Sequence, residues 1–225
     1  MTNNRLRLTT RAPTPDEEFE QLKCVLNRLS FYRSNGYIVE LPDISLLQDP
    51  KMLEDQDNAF NVFKTSEYNL RFFDKGLKIL NSERNILEDL IKKLMSIADL
   101  WDFKVFSKYE ILLTKYGPGG RYNSNIGRVV LLTTKKGGFK RESSHTVLHE
   151  IAHIGIEDSI VKKYSLSHSE KERLVDLLVK MVFTIEFPDY RVQKIGDSRI
   201  DSYINNEAIK NLPKTIERYI TDFPR

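Results

Sequence analysis

Cysteine is nearly absent from this chain, with Cys24 the only one in 225 residues. No disulfide can close within it, and nothing in its cysteine usage marks an oxidising compartment. Long apolar runs are missing too, since none approaches the roughly 20 residues that a membrane-crossing helix needs. The first thirteen residues carry Arg5, Arg7 and Arg11 and no acid, but they lack the apolar core of a secretory signal. These absences predict a cytoplasmic protein without membrane association, and a flexible tail over residues 1–16. Charge of one sign is also lacking. Thirty-five Lys and Arg against 32 Asp and Glu leave +3, too little to argue for nucleic acid. Lys135, Lys136, Lys140 and Arg141, like the N-terminal arginines, read as solvated positions rather than a phosphate track. The glycines of Gly117-Pro118-Gly119-Gly120 are not followed by Gly-Lys-Ser/Thr, which excludes a P-loop.

Histidine is scarce as well, but its distribution is informative. Of four, His145, His149 and His153 fall at successive four-residue steps in one apolar stretch, Thr146-Val147-Leu148-His149-Glu150-Ile151-Ala152-His153-Ile154. This is an H-E-x-x-H motif. Residues four apart stack one turn above the other on a helix, so two imidazoles can converge on one ion while Glu150 faces the same pocket. Neutral imidazole is a good zinc ligand, and a catalytic zinc takes three protein ligands and leaves a fourth position for water. A carboxylate beside that water can take its proton and later deliver it to a leaving amine, the role read for Glu150. Val147, Leu148, Ile151, Ala152, Ile154 and Ile156 make the helix apolar on nearly every side, so it is expected to be buried. A buried Glu without a metal or partner would be costly, which counts against a chance motif.

A second apolar helix is expected over Glu170–Phe183, with Leu174, Val175, Leu178 and Val179 among its packed residues. Glu172 and Asp176 lie one turn apart on it. Two N-terminal frames compete. If Ser169 caps the helix, Glu172 reaches back to it in a capping box and binds no metal; if Ser167 is the cap, Glu170 takes that role and Glu172 is free.

The metzincin continuation is ruled out, because Ile156 and Ser159 stand where its Gly and third His belong. The chain instead resembles a gluzincin over roughly residues 128 to 183: H-E-x-x-H is followed nineteen residues later by Glu172-Arg173-Leu174-Val175-Asp176, the E-x-x-x-D arrangement of that family. The resemblance implies an α+β, zincin-like fold, mainly helical with a small sheet before the active-site helix. It implies one zinc per chain held by His149, His153 and Glu172, with Glu170, Asp176, Glu157 and Asp158 as the competing third ligands. Asp176 would accept a hydrogen bond from a ligand histidine and orient it. The activity implied is hydrolysis of a protein or peptide substrate, with a narrow substrate range as an attractive subtype. Zincins add a donor that meets charge on the scissile carbonyl. His168, Tyr164, His145, Tyr190 and Tyr203 are the candidates, and no motif selects among them. The competing functional class is a non-catalytic binding or structural protein that keeps zinc on the same scaffold.

Arg128–Thr134 reads as a strand, expected to form the edge above the metal, with Tyr109–Lys115 as its neighbour and turn formers between them. Upstream, helical intervals mark Glu17–Tyr32, Asn69–Leu80 and Ser82–Leu100. This gives a helical region over 17–106 without visible chemistry and a catalytic region over 107–225, expected to form one integrated unit. A last helix is expected near Asn206–Ile220, where the C-terminal residues would build the lower wall of the cleft.

Overall fold

The computed structural model describes residues 6–51, 55–193 and 196–224. Helices surround a small mixed sheet, an α+β architecture. The sheet has the order β1-β2-β4-β3: β1 (Arg7–Arg11), β2 (Lys108–Thr114), β3 (Gly120–Asn123) and β4 (Arg128–Leu132). β1, β2 and β4 are parallel, and β3 runs antiparallel to β4, with Gly120 opposite Leu131 and Tyr122 opposite Val129. Two expectations change here. The free edge beside the site belongs to β3, a segment whose glycine and asparagine had pointed to a turn, while β4 is interior. The flexible tail is also corrected from residue 6 onward, residues 1–5 lying outside the described ones. Leu6 and Leu8 enter the core, and Arg11 is locked by Glu17 and Glu110. Pairing with β2 supplies the hydrogen bonds that a five-residue segment cannot make alone.

The interior strand residues Ile111, Leu113, Val129 and Leu131 pack against α6 (Ser143–Ile156), α5 (Arg84–Met95) and α7 (His168–Val182) in one continuous core. α4 (Asp74–Ser82) contributes Leu80 to the same core, so residues on both sides of position 106 share it. A smaller cluster holds α1 (Pro15–Asn27) and α2 (Leu29–Ser34) against Phe63 and Tyr116. A short helix not expected from the sequence, α3 (Gln56–Val62), and a C-terminal pair where one helix was expected, α8 (Asn206–Lys210) and α9 (Leu212–Asp222), complete the α-helices of the described residues.

α6 is buried along almost its whole length, which its apolar circumference requires. Each fully buried Val, Leu or Ile on it contributes roughly 1.5–3 kcal/mol. Gly155 lets the Phe103 ring lie against the helix, where an added Cβ would sit 1.9 Å from the ring. Beyond α6 the chain makes a wide turn over Glu157–Lys162 and reverses at Ser165, whose φ is 51°. Ser167 then caps α7. Its hydroxyl accepts from the Glu170 amide and the Glu170 carboxylate accepts from the Ser167 amide, so the second of the two capping frames is the one formed. Among the described residues no helix is long and apolar enough to cross a membrane.

Candidate metal centre

α6 and α7 place their polar residues against one another. The Nε2 atoms of His149 and His153 are 3.0 Å apart, and each lies 3.4 Å from an oxygen of Glu172. Three ligands at about 2.0–2.1 Å from one tetrahedral ion stand about 3.3 Å from each other, so this spacing is that of a shared metal position. All three residues are buried, and the group can hold a metal ion. Its two imidazoles and one carboxylate suit a divalent ion of borderline softness.

The competing third ligands are engaged elsewhere. Glu170 serves the helix cap and accepts from the Tyr219 hydroxyl at 2.9 Å. Glu157 accepts from Tyr122, and Asp158 pairs with Lys104 and Lys162. Asp176 stands behind His149, with one oxygen 3.1 Å from its Nδ1. The same carboxylate accepts from the Tyr190 hydroxyl at 3.0 Å and the Gln193 amide at 2.6 Å. These bonds fix the His149 ring and direct its Nε2 at Glu172 and His153. His153 is held differently. Its Nδ1 has no hydrogen-bond partner among the described residues, and its ring stacks on Tyr122 at 4.9 Å with 9° between planes.

The electrostatics follow from burial and proximity. At Glu172, burial favours the neutral acid, but hydrogen bonds from His149 and His153 outweigh it and hold the carboxyl well below its ordinary range. Burial opposes charge on His149, yet Asp176 and Glu172 raise it to about 10, whereas burial takes His153 down to about 4. A negative pocket that must hold a proton on one imidazole is a pocket that a cation would complete.

Glu150 sits beside this group on α6 and is 6% exposed. Burial pushes its carboxyl up to about 7, with opposing contributions from His149, which lowers it, and Glu172, which raises it. No donor among the described residues bonds its carboxylate, and it lines a cleft of 1370 Å³ that also exposes the three-residue group. The near wall of that cleft is β3. An added Cβ on Gly120 would stand 2.3 Å from Glu150 Oε1 and 2.7 Å from Thr146, so the close approach of strand and carboxylate depends on glycine.

The five candidate donors separate. His145 and His168 line the cleft, as does Tyr190, although the Tyr190 hydroxyl is turned to Asp176 and His149. Tyr164 and Tyr203 are corrected as site candidates. Tyr164 donates to Glu217, and Tyr203 donates to Asp222 while packing on Tyr219 and Phe223, because both follow turns directed at α9 rather than at α6. The far C-terminal helices likewise stay out of the cleft lining, which takes only Asp189, Tyr190, Arg191 and Gln193 from beyond Pro188. Two tyrosines without a motif do reach the site. Tyr122 stacks on His153, and Tyr37, from the N-terminal region thought silent, bonds His168 Nε2 at 2.9 Å. Burial, then the charges of Glu172 and Glu150, raise the Tyr37 hydroxyl and keep it protonated as a donor. No protein-family model, curated protein or solved structure matches the chain.

Proposed function

We propose that the protein is a zinc-dependent peptidase of gluzincin type, with His149, His153 and Glu172 as metal ligands and Glu150 as general base. The observation that carries this reading is the placement of Glu150, unbonded and lining the cleft, on the same helix as two of three residues at metal-ligand spacing. A structural metal site has no need of an unpartnered carboxyl beside it. When bound, zinc would polarise a carbonyl and lower the pKa of a water. Glu150 would be the group that accepts a proton from an attacking water at its carboxylate and delivers it to the departing amine nitrogen. Asp176 keeps the His149 ring in one tautomer with Nδ1–H directed at its oxygen. Tyr122 holds the His153 ring by stacking.

β3 supports the zincin-like reading of the fold, since it presents an unpaired strand edge beside Gly120 and Glu150. An extended peptide can add to such an edge through main-chain hydrogen bonds, placing a scissile carbonyl near the ligand group. Tyr37 and His168, joined to each other and both lining the cleft, with His168 Nδ1 3.7 Å from Glu172, are donors that could meet charge developing on that carbonyl.

The test has two parts. Protein purified without chelator should carry about one zinc per chain, lost in His153→Ala and Glu172→Ala. A proteome-derived peptide library should then be cleaved by wild type and left intact by Glu150→Gln, which keeps its zinc. Stoichiometric zinc with identical library profiles for wild type and Glu150→Gln would instead identify a binding protein that retains the ion.

A further inference from the structure

The cleft that exposes the metal ligands is bordered by arginines without carboxylate partners. Among the described residues no ion pair occupies Arg28, Arg121, Arg141 or Arg191, and all four line it. They form two groups. Arg121 on β3 bonds the neutral side chain of Gln21 on α1 at 2.7 Å, and Arg28 caps the C-terminal end of that helix. Arg141 and Arg191 form the second group, the first just before α6 and the second next to Tyr190, whose ring is 5.5 Å from that of His145. Other cations of the lining have partners, Lys140 in Glu40, Arg128 in Glu110, and Lys171 in Glu172 and the Tyr122 hydroxyl. The rim carboxylates are Glu142, close to His145, and Asp189. Guanidinium groups outside any ion pair therefore line the cleft in two places, one of them on β3 beside its unpaired edge, and the same cleft exposes the ligand group.

We infer that this cleft binds acidic polypeptide, with Asp or Glu side chains flanking the segment over the metal ligands met by the Arg28 and Arg121 group and by the Arg141 and Arg191 group. Guanidinium forks suit carboxylates, and four of them outside any ion pair among the described residues are free to take paired contacts from acidic side chains of a ligand. The unpaired strand edge on the β3 wall of the cleft favours polypeptide over nucleic acid, because it offers main-chain pairing that a phosphate backbone cannot use. The inference rests on the peptidase reading for its orientation over the ligands.

Binding is measured by fluorescence anisotropy on zinc-loaded Glu150→Gln protein, so that no cleavage intervenes. The probes are a labelled ten-residue peptide with four Asp and Glu, the same peptide with Asn and Gln in their place, and a five-nucleotide DNA strand. The acidic peptide should bind about tenfold or more tighter than its amide counterpart, and lose affinity between 50 and 200 mM salt. Arg28→Gln with Arg121→Gln, and separately Arg141→Gln with Arg191→Gln, should each reduce that preference roughly three- to tenfold, the range expected for two exposed ion pairs. Arg71→Gln, outside the cleft, should leave it unchanged. Two double variants ensure that one failing to fold does not remove the test. Equal binding of acidic and amide peptides, no loss in a folded double variant, or tighter binding of the oligonucleotide would overturn the inference. Acidic preference in binding with no hydrolysis by wild type would count against the peptidase reading alone. Hydrolysis of neutral peptides as fast as acidic ones would count against the acidic specificity alone.

Discussion

Glu18 offers a test that is independent of any substrate. It projects from α1 into the interior, fully buried against the end of β2. One oxygen accepts from the Thr114 hydroxyl at 3.2 Å and the Lys115 amide at 2.7 Å, while the other has no partner among the described residues. That pattern suits a protonated carboxyl. Burial raises its pKa from 4.5 to about 7, against the lowering effect of the Lys115 and Thr114 hydrogen bonds. A folded-state value above the unfolded one means that the folded chain holds a proton which the unfolded chain has released. Stability from this group is thus complete below about pH 4.5 and is lost as pH rises through 7. At 1.36 kcal/mol per pH unit the displacement is worth about 3 kcal/mol. Glu18→Gln imitates the protonated acid and cannot ionise. Melting followed by circular dichroism from pH 4 to 8 should show the variant matching wild type at pH 4 and exceeding it at pH 8. For a chain of this size the gap at pH 8 is roughly 6–12 °C. Parallel curves would refute the reasoning, since Glu18 would then titrate alike in both states.

Three further outcomes are expected. Asp176→Asn should weaken zinc binding about 10- to 100-fold while leaving its stoichiometry at saturating metal, read by competition with a chromogenic chelator; unchanged affinity would remove Asp176 as the orienting partner of His149. Gly120→Ala should keep the zinc and lower hydrolysis about 100-fold, because its Cβ claims the position of Glu150 Oε1. Peptide-library turnover equal to wild type would show that β3 does not set that carboxylate. Leu8→Ala should cost about 2–5 kcal/mol in urea unfolding, as for a core leucine, whereas a change within 0.5 kcal/mol would fit the flexible tail.

What the sequence made legible was local. His149, Glu150 and His153 belong to one helix, and Glu172 and Asp176 to another, so spacing alone assigns each set to a face. The Ser167 cap was readable for the same reason, although two frames fitted and only the folded chain separates them. What stayed hidden depends on distant partners. β1 is too short and too polar to declare itself, and only Leu6 and Leu8 show the alternation that β2 then uses. β3 carries turn-forming residues and becomes a strand because β4 supplies the ladder. Tyr37 and Tyr122 reach the cleft from segments with no chemical signature, and nothing in their neighbours in sequence announces His168 or His153.

The place of β1 in the sheet has a consequence for how the chain assembles. Thr9 bonds across to Tyr109, 100 residues further along, with α1 to α5 in between. During synthesis β1 leaves the ribosome well before its partner exists, so it must wait unpaired while five helices form behind it. α6 emerges later still, after β2 and β4 are complete. Closing so long a loop is slow compared with helix formation. α6 and α7 fill the core on which the sheet rests, so the His149, His153 and Glu172 group gathers in the same late step that closes this core, and the candidate metal position forms only once β1 has found its partner.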